Sequence, residues 1–535
     1  MTVAQLVIKE LKRHGIEYLF GIPGGPSLSY MEACRKEGIQ FVLVKNEASA
    51  GFMATAYAMI TGKIAACHGT FGPGATNLST GVGCAYLDRV PLLALTTEMS
   101  DANRHRTVQM NIDHQKIYEP ITKWTTRLNT HSVKRTISKA IEIAYSEVPG
   151  PVHIGLPADI TDKEVVEEVD VPEIKICKAP KIGSAMLKAL REQFLTAKRP
   201  LLAVGLSANR YENIDKEIVK LAEKFDVPVV LTPMAKGMIK ENHKNYLGVV
   251  FHALSTRLDP IIKEADLVVG IGYDPIEFNY EDWIPKTPLI HIDSVVGDVP
   301  KDVDVLQIIG SVSDALDYLN KSEGAKKEWD YSKIEMVKKE IGVALRPKSE
   351  RLTSSEVLDA LRKTLPENGV MTCDVGAHTH LIGQLWETPG PKRQIMTNGW
   401  SSMGFGVPSA IGAKFAVGEN VPVVCVSGDG GFLMNFGELM TARRLNLTVV
   451  FLVLNDNDLS LIDVKQQWKN YQKYEVDLYE GSMFGTDIFL GLPVYRVTKS
   501  EDLDETMRKA FAHKGPSVIE AQVDSTVYSK LIARR

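Results

Sequence analysis

The residue types able to do chemistry are densest in the stretch 421–466. Gly428-Asp429-Gly430-Gly431 is followed, past one amphipathic segment, by Asn455-Asp456-Asn457-Asp458. Carboxylates, amides and backbone carbonyls are hard oxygen donors, and Mg²⁺ is typically held by few carboxylates together with the oxygens of a bound phosphate. Glycines beside the Asp let backbone N–H groups approach a phosphate, and a following helix adds its positive end. Gly-Asp-Gly alone also makes ordinary turns, so the second cluster carries the reading.

Such residues need elements that bring them together. Residues 421–427 are a continuous apolar, β-rich run, the glycines force a turn, FGELMTARRL is helical, and TVVFLVL is a second buried strand. This is one βαβ unit. Parallel strands end on one edge of a sheet, so Asp429 after the first strand and Asn455, Asp456 and Asp458 after the second reach one crevice. Just beyond, LSLIDVKQQWKNY reads as a helix with Leu461, Ile462, Lys465 and Gln466 within reach of one face, an apolar wall with one cation for a carboxylate. A solvent-facing lysine is the commoner case.

The alternation of β-branched runs with amphipathic stretches repeats along all 535 residues, which predicts an α/β chain of three doubly wound parallel-sheet domains. The blocks run 1–165, 185–320 and 350–535. Between the first two, the acidic TDKEVVEEVDVPEIK reads as an exposed linker. The first and third blocks share a faint likeness, Gly-rich turns after strands, too weak to establish duplication. A net charge of −4, with 44% hydrophobic and 24% charged residues, is that of an ordinary globular chain and speaks against nucleic-acid binding. The amino terminus lacks the apolar core of a signal peptide, and no run of about 18 apolar residues predicts a membrane span. Six scattered cysteines without a CxxC read as buried thiols of a reduced, cytoplasmic protein.

The glycine turn, the helix after it and the Asn-rich end of the next strand resemble the motif of thiamine diphosphate enzymes. That resemblance implies that Asp429, Asp456 and the carbonyl of Asp458 hold Mg²⁺, with Gly428, Gly430, Gly431 and Asn455 around the diphosphate. Leu459, Ser460 and Leu461 would border the cofactor beyond it. The family's usual second Asn is here Asp456, which adds a negative charge beside the diphosphate. CDVGAHTH resembles a diphosphate-binding turn that keeps His378 and has Ala377 for the usual Gln. NGWSSMGFGVPSAIGAKFA resembles the stretch in which a Met, here Met403 after Ser401, wedges beneath the cofactor and bends it.

The first block carries complementary segments. VLVKNEASAGFMATAYAMITGK resembles the segment whose single Glu, here Glu47, shares a proton with the cofactor's aminopyrimidine, on which deprotonation of the thiazolium depends. That role needs a buried Glu, whereas a first-turn Glu is commonly exposed and supports only its own helix. GIPGGPSLSY, with Pro23, Gly24 and Gly25, and GTFGPGATNLSTGVGCAYLDRVPLLALT, with Thr70, Phe71, Gly72 and Asn77, look like the acetolactate synthase branch. VQMNIDHQKIYEPITKW resembles the segment that places Gln109 near the reacting carbons, with Val108 for the usual Phe.

ADLVVGIGYDPIEFNYEDW looks like the flavin-free, catabolic members of that branch, and LLAVGLSANR lacks the triple-Gly turn of the flavin binders, so FAD is not expected. The implied reaction decarboxylates pyruvate and joins the remaining two carbons to a second 2-oxo acid, giving 2-acetolactate. His68, four residues before the Gly-Pro-Gly turn, matches a proton donor of decarboxylases that release an aldehyde, and equally reads as a buried histidine bonded at a strand end. Simple decarboxylation is therefore the alternative, and a cofactor-binding, non-catalytic subunit a third. The resemblance also implies a homodimer or homotetramer with active sites between subunits, small 2-oxo acids as substrates, and no nucleic-acid or membrane partner.

Overall fold

The computed structural model describes residues 1–165, 179–278 and 283–532; most of the acidic linker, Cys177 and positions 279–282 lie outside the described residues. The other five cysteines are buried and free. No helix among the described residues is long and apolar enough to cross a membrane.

Three sheets carry the chain, as the alternating pattern predicts. The first has six strands: β1 (Tyr18–Gly21), β2 (Gln40–Leu43), β3 (Ala65–Gly69), β4 (Leu92–Glu98), β5 (Trp124–Arg127) and β6 (Pro151–Pro157), in the order β2-β1-β3-β4-β6-β5. All its pairings are parallel. Its central strand β4 is buried at every position, as in a strand covered on both faces, apolar over residues 92–95 and polar over 96–98.

The second sheet contains β7 (Pro200–Val204), β8 (Val229–Leu231), β9 (Tyr246–Val249), β10 (Leu267–Ile271), β11 (Leu289–Asp293) and β12 (Val305–Ile309), all parallel, ordered β12-β11-β10-β7-β8-β9. Numbered from its own first strand this is the order 3-2-1-4-5-6, with the switch point between β7 and β10. The third holds β13 (Val370–Cys373), β14 (Gln394–Ile395), β15 (Val423–Gly428), β16 (Val449–Asn455), β17 (Ile488–Phe489), β18 (Leu492–Val497) and β19 (Ser517–Gln522), ordered β14-β13-β15-β16-β19-β18-β17. A short antiparallel hairpin, β17–β18, closes one edge. Without that edge strand, its order repeats the 2-1-3-4-6-5 of the first sheet.

The chain folds as two compact units. One comprises residues 1–177, 400–420 and 435–449; the other holds residues 178–399, 421–434 and 450–535, and so carries both remaining sheets. In the first unit, the helix Glu47–Thr61 is capped by Asn46, whose side chain accepts from Ala48 N, and stops at left-handed Gly62. Its small residues permit tight packing: a Cβ on Gly51 would lie 2.5 Å from Gly81 Cα in the helix Pro73–Leu87. The helix Gly406–Val417 packs on it as closely, with Gly412 against the Met53 carbonyl. In the second unit one apolar core runs from Leu201 and Val268 of the second sheet to Val424 and Leu452 of the third.

Candidate functional site

In the first unit the switch point lies between β1 and β3. Pro23, Gly24 and Gly25 follow β1, and Thr70, Phe71 and Gly72 follow β3. The two turns touch: a Cβ on Gly24 would collide with Thr70 Oγ1, so only glycine fits. His68, near the end of β3, is 2% exposed. Its Nε2 meets Ser27 Oγ at 2.8 Å, and that hydroxyl accepts from Gly24 N at 3.1 Å. Burial lowers the imidazole to about 4, although a hydrogen bond to the Leu95 carbonyl acts against it. The ring is a neutral tether for the Gly24 turn.

Glu47 opens its helix at 6% exposure. Asn77 Nδ2 donates to Glu47 Oε2 at 3.1 Å. The chain just before Glu47 is held by a residue the sequence reading did not single out. Glu438, buried, accepts from Lys45 N at 2.8 Å and Asn46 N at 3.1 Å through Oε1, while Thr441 Oγ1 donates to its Oε2 at 2.7 Å. Burial raises its pKa against those hydrogen bonds. Asn435 works alongside it: its Oδ1 accepts from Ser49 Oγ at 3.2 Å, and its Nδ2 donates to the Gly404 carbonyl at 2.7 Å, next to Met403. Met403 is half-buried, whereas Ser401 is exposed with φ 51°. Gln109 is exposed in the loop before the helix His114–Tyr118.

In the second unit, Asp374 after β13 and Asp429 after β15 flank the third sheet's switch point. Two glycines of the GDGG turn make room for their neighbours. A Cβ on Gly431 would lie 2.7 Å from the Asp374 carboxylate, and one on Gly428 would lie 3.2 Å from His378 Nδ1. His378 is buried and lowered to about 4 by desolvation, and its Nε2 has no hydrogen-bond partner. With the ring neutral and donating to the Asp374 carbonyl, this buried nitrogen is a lone-pair acceptor at a glycine turn, a position for a ligand donor or a bridging water.

Asp429 is 2% exposed; Gly430 N donates to its Oδ1 at 2.8 Å and Asn457 N to its Oδ2 at 2.7 Å. Asp456 accepts from Asp458 N at 3.1 Å and Ser460 Oγ at 2.8 Å. Both carboxyls are pushed up, first by burial and, for Asp456, next by the Asp429 charge. Like charges sharing a desolvated crevice are relieved by a cation, so this donor set fits a divalent metal. The Asp458 side chain is paired with Lys473 at 2.7 Å. Tyr479, also not foreseen, donates to Asp429 Oδ2 at 3.2 Å and lies 2.9 Å from Asn455 Oδ1, and Asn455 Nδ2 donates to buried Glu520 Oε1 at 2.8 Å.

The helix Ser460–Trp468 begins at this cluster. Leu461, Lys465 and Trp468 line a cavity of about 280 Å³ with Phe251, Phe278 and His380. Positions i, i+4 and i+7 share a face; Ile462 and Gln466, expected with them, point elsewhere. Ile462 is 43% exposed, and Gln466 is bonded to Tyr474, accepting from its N at 3.1 Å and donating to its carbonyl at 3.0 Å.

The second sheet's switch point is filled by the chain itself. Buried Glu277 accepts from Leu206 N at 2.9 Å, Thr232 Oγ1 at 2.6 Å and Met234 N at 3.0 Å. Burial lifts it to about 7. The loops after β7 and β10 interlock, since a Cβ on Gly205 would lie 2.5 Å from Tyr273 Cα and one on Gly272 2.5 Å from Ala208 N.

Three domain families match in order: the N-terminal TPP binding domain of thiamine pyrophosphate enzymes over residues 1–117, their central domain over 187–319, and their C-terminal TPP binding domain over 374–521. That is the domain set of an enzyme working with thiamine pyrophosphate, the diphosphate named above. The chain is 30% identical to a probable acetolactate synthase large subunit of Methanococcus aeolicus over 98% of its own length and 92% of the relative's. It is 30% identical to the acetolactate synthase of Arthrospira platensis, covering 98% and 94%, and 28% identical to that of Bacillus subtilis, covering 97% and 93%. The chain belongs to the acetolactate synthase family.

Proposed function

We propose that this enzyme decarboxylates pyruvate and joins the two-carbon fragment to a second 2-oxo acid, forming 2-acetolactate, with thiamine diphosphate held through Mg²⁺. The observation that carries the reading is the buried Glu47 carboxylate, whose backbone is clamped by Glu438 and whose Oε2 is met by Asn77. A subunit that only bound the cofactor would have no use for a fixed, buried acid there.

Bound thiamine diphosphate supplies an electron sink for the carbons freed by decarboxylation. The chain's own residues would do the rest. Asp429, Asp456 and the Asp458 carbonyl would hold the metal, and Gly428, Gly430, Gly431, Asn455 and His378 would border the diphosphate. Leu459, Ser460 and Leu461 would border the cofactor beyond the metal, and Ser401 and Met403 would support it between its two ends. Glu47 would share a proton with the aminopyrimidine through Oε1, the oxygen that Asn77 leaves open, beside Pro23, Gly24, Thr70 and Gly72. Gln109 orients the acceptor, and Gly25, Phe71 and Lys465 contact substrate.

We assign His68 to positioning rather than proton donation. Its ring, held low by burial, is engaged by Ser27 Oγ and the Leu95 carbonyl, which supports ligation over aldehyde release. The Glu277 carboxylate, seated on backbone N–H groups where a dinucleotide phosphate would sit, supports a flavin-free enzyme. Family resemblance supports domains at 1–165, 185–320 and 350–535, a homodimer or homotetramer and a cytoplasmic location.

Product analysis tests the reading: the enzyme is incubated with pyruvate, thiamine diphosphate and Mg²⁺, with and without FAD. Acetolactate formed equally in both supports it. Acetaldehyde alone favours the decarboxylase, and no CO₂ from any 2-oxo acid favours a non-catalytic subunit.

A further inference from the structure

Behind the Phe71–Gly72 turn lies a buried cluster that the proposed chemistry leaves unused. Glu98, His114 and His153 offer ligand atoms within 4.8 Å of one another. Each is already committed. His114 Nε2 accepts from Gly72 N at 3.4 Å, and its Nδ1 meets Thr96 Oγ1 at 2.8 Å. The same hydroxyl meets His153 Nε2 at 2.7 Å, and His153 Nδ1 meets Thr125 Oγ1 at 2.7 Å. Glu98 pairs with Arg127 and accepts from Gln115 Nε2 at 2.5 Å. A guanidinium on the carboxylate and a hydroxyl between the imidazoles leave a cation no free donor set.

The direction of this chain follows from one fixed donor. A backbone amide can only donate, so His114 Nε2 bears no proton toward Gly72 and Nδ1 carries the hydrogen. Nδ1–H therefore donates to Thr96, the Thr96 hydroxyl donates to His153 Nε2, and His153 Nδ1–H donates to Thr125. Every member is satisfied only with both imidazoles neutral, and burial lowers both, His114 to about 4. The charged and titratable groups facing them are Glu98, 3.7 Å from His114 Nδ1, its partner Arg127, Asp113 at the helix cap, and Tyr118. Tyr118 stacks on His153 at 4.0 Å and donates to the Ala75 carbonyl at 2.7 Å, in the first turn after Gly72.

The chain's free end bears on the reaction. Gly72 has φ +67°, and a Cβ there would lie 3.0 Å from Met110 Cβ and carbonyl oxygen. Met110 follows Gln109, and His114 opens the next helix. One imidazole thus pins the turn carrying Phe71 to the loop carrying Gln109.

We infer that Thr96, His114 and His153 form a one-directional hydrogen-bond relay that positions Gln109 against the Phe71–Gly72 turn, and so favours ligation over release. His114 is a positioning residue, and the effect on products rests on the carboligase reading above. The test uses the thiamine diphosphate–Mg²⁺ holoenzyme and two readouts: hydrogen–deuterium exchange of the peptide 69–76, and the acetolactate-to-acetaldehyde ratio from pyruvate. Thr96→Val and His114→Leu should raise exchange severalfold and shift products severalfold toward acetaldehyde. His114→Gln, which keeps an acceptor toward Gly72, should restore both toward wild type. Wild-type exchange in Thr96→Val overturns the relay, as does stoichiometric bound metal that His114→Leu loses. If the wild type makes no acetolactate, the carboligase reading fails while the exchange data still judge the relay.

Discussion

Asn77 Nδ2 meets Glu47 Oε2 at 3.1 Å, while Oε1 faces Gly74, where a Cβ would stand 3.3 Å away. One carboxylate oxygen is thus taken by an amide and the other has a side made bare by glycine. Glu47→Gln keeps the shape and removes the transferable proton. It should bind thiamine diphosphate with near-normal affinity and lose about 10²–10⁴-fold in turnover. Titration of the cofactor alongside steady-state rates checks this, and a fully active variant removes Glu47 from the chemistry.

The two carboxyls of the metal cluster should respond differently to loss of charge. Asp429→Asn takes away a carboxylate held by two backbone amides and should weaken Mg²⁺-dependent cofactor binding about tenfold or more. Asp456→Asn, which relieves like-charge crowding, should be milder. Because both carboxyls are held above the usual range, protons compete with the cation, and Mg²⁺ should bind more weakly at about pH 6 than at about pH 8. Equal affinity at both, measured by calorimetry, contradicts the assignment.

Acid should destabilise the fold through its buried imidazoles. His68 and His378 titrate at about 4 in the native chain against 6.5 as free groups. As pH falls the unfolded chain binds their protons first, so the stability present above 6.5 is lost progressively as pH drops toward 4. Melting temperature should decline through that window, and His68→Gln should flatten the slope; an unchanged slope speaks against a neutral buried ring.

Close helix packing beneath Glu47 admits no added methyl. A Cβ on Gly81 would stand 2.6 Å from both the Ala48 carbonyl oxygen and Gly51 Cα. Gly81→Ala should cost about 1–3 kcal/mol, seen as a melting temperature lower by a few degrees. An unshifted transition means the helices can slide apart.

Lys465 offers its ammonium to a cavity lined by Leu461, Phe251 and His380. Lys465→Met keeps the length without the charge. It should raise the KM for 2-oxo acids about tenfold and change kcat less, the loss of a charge-assisted contact. An unchanged KM makes the lysine a solvated one.

What the sequence made legible was local. The GDGG turn, the Asn/Asp cluster and Glu47 sit at strand ends, and periodicity locates strand ends. Glu438 and Asn435 escaped because their partners, Lys45, Asn46 and Ser49, are nearly four hundred positions away in the chain. Tyr479 and Glu520 likewise reach Asn455 only through tertiary packing. Gln466 shares a helix with Lys465, but one residue's rotation, about 100°, turns it to Tyr474. Periodicity also gave no sign that residues 400–420 and 435–449 join the first unit.

The strand order shared by the first and third sheets makes their turns comparable. Strand for strand, the Thr70 turn after β3 corresponds to the Asp429 turn after β15. Each sheet therefore opens one crevice at its switch point, and the same topological position offers a hydroxyl in one and an acid in the other.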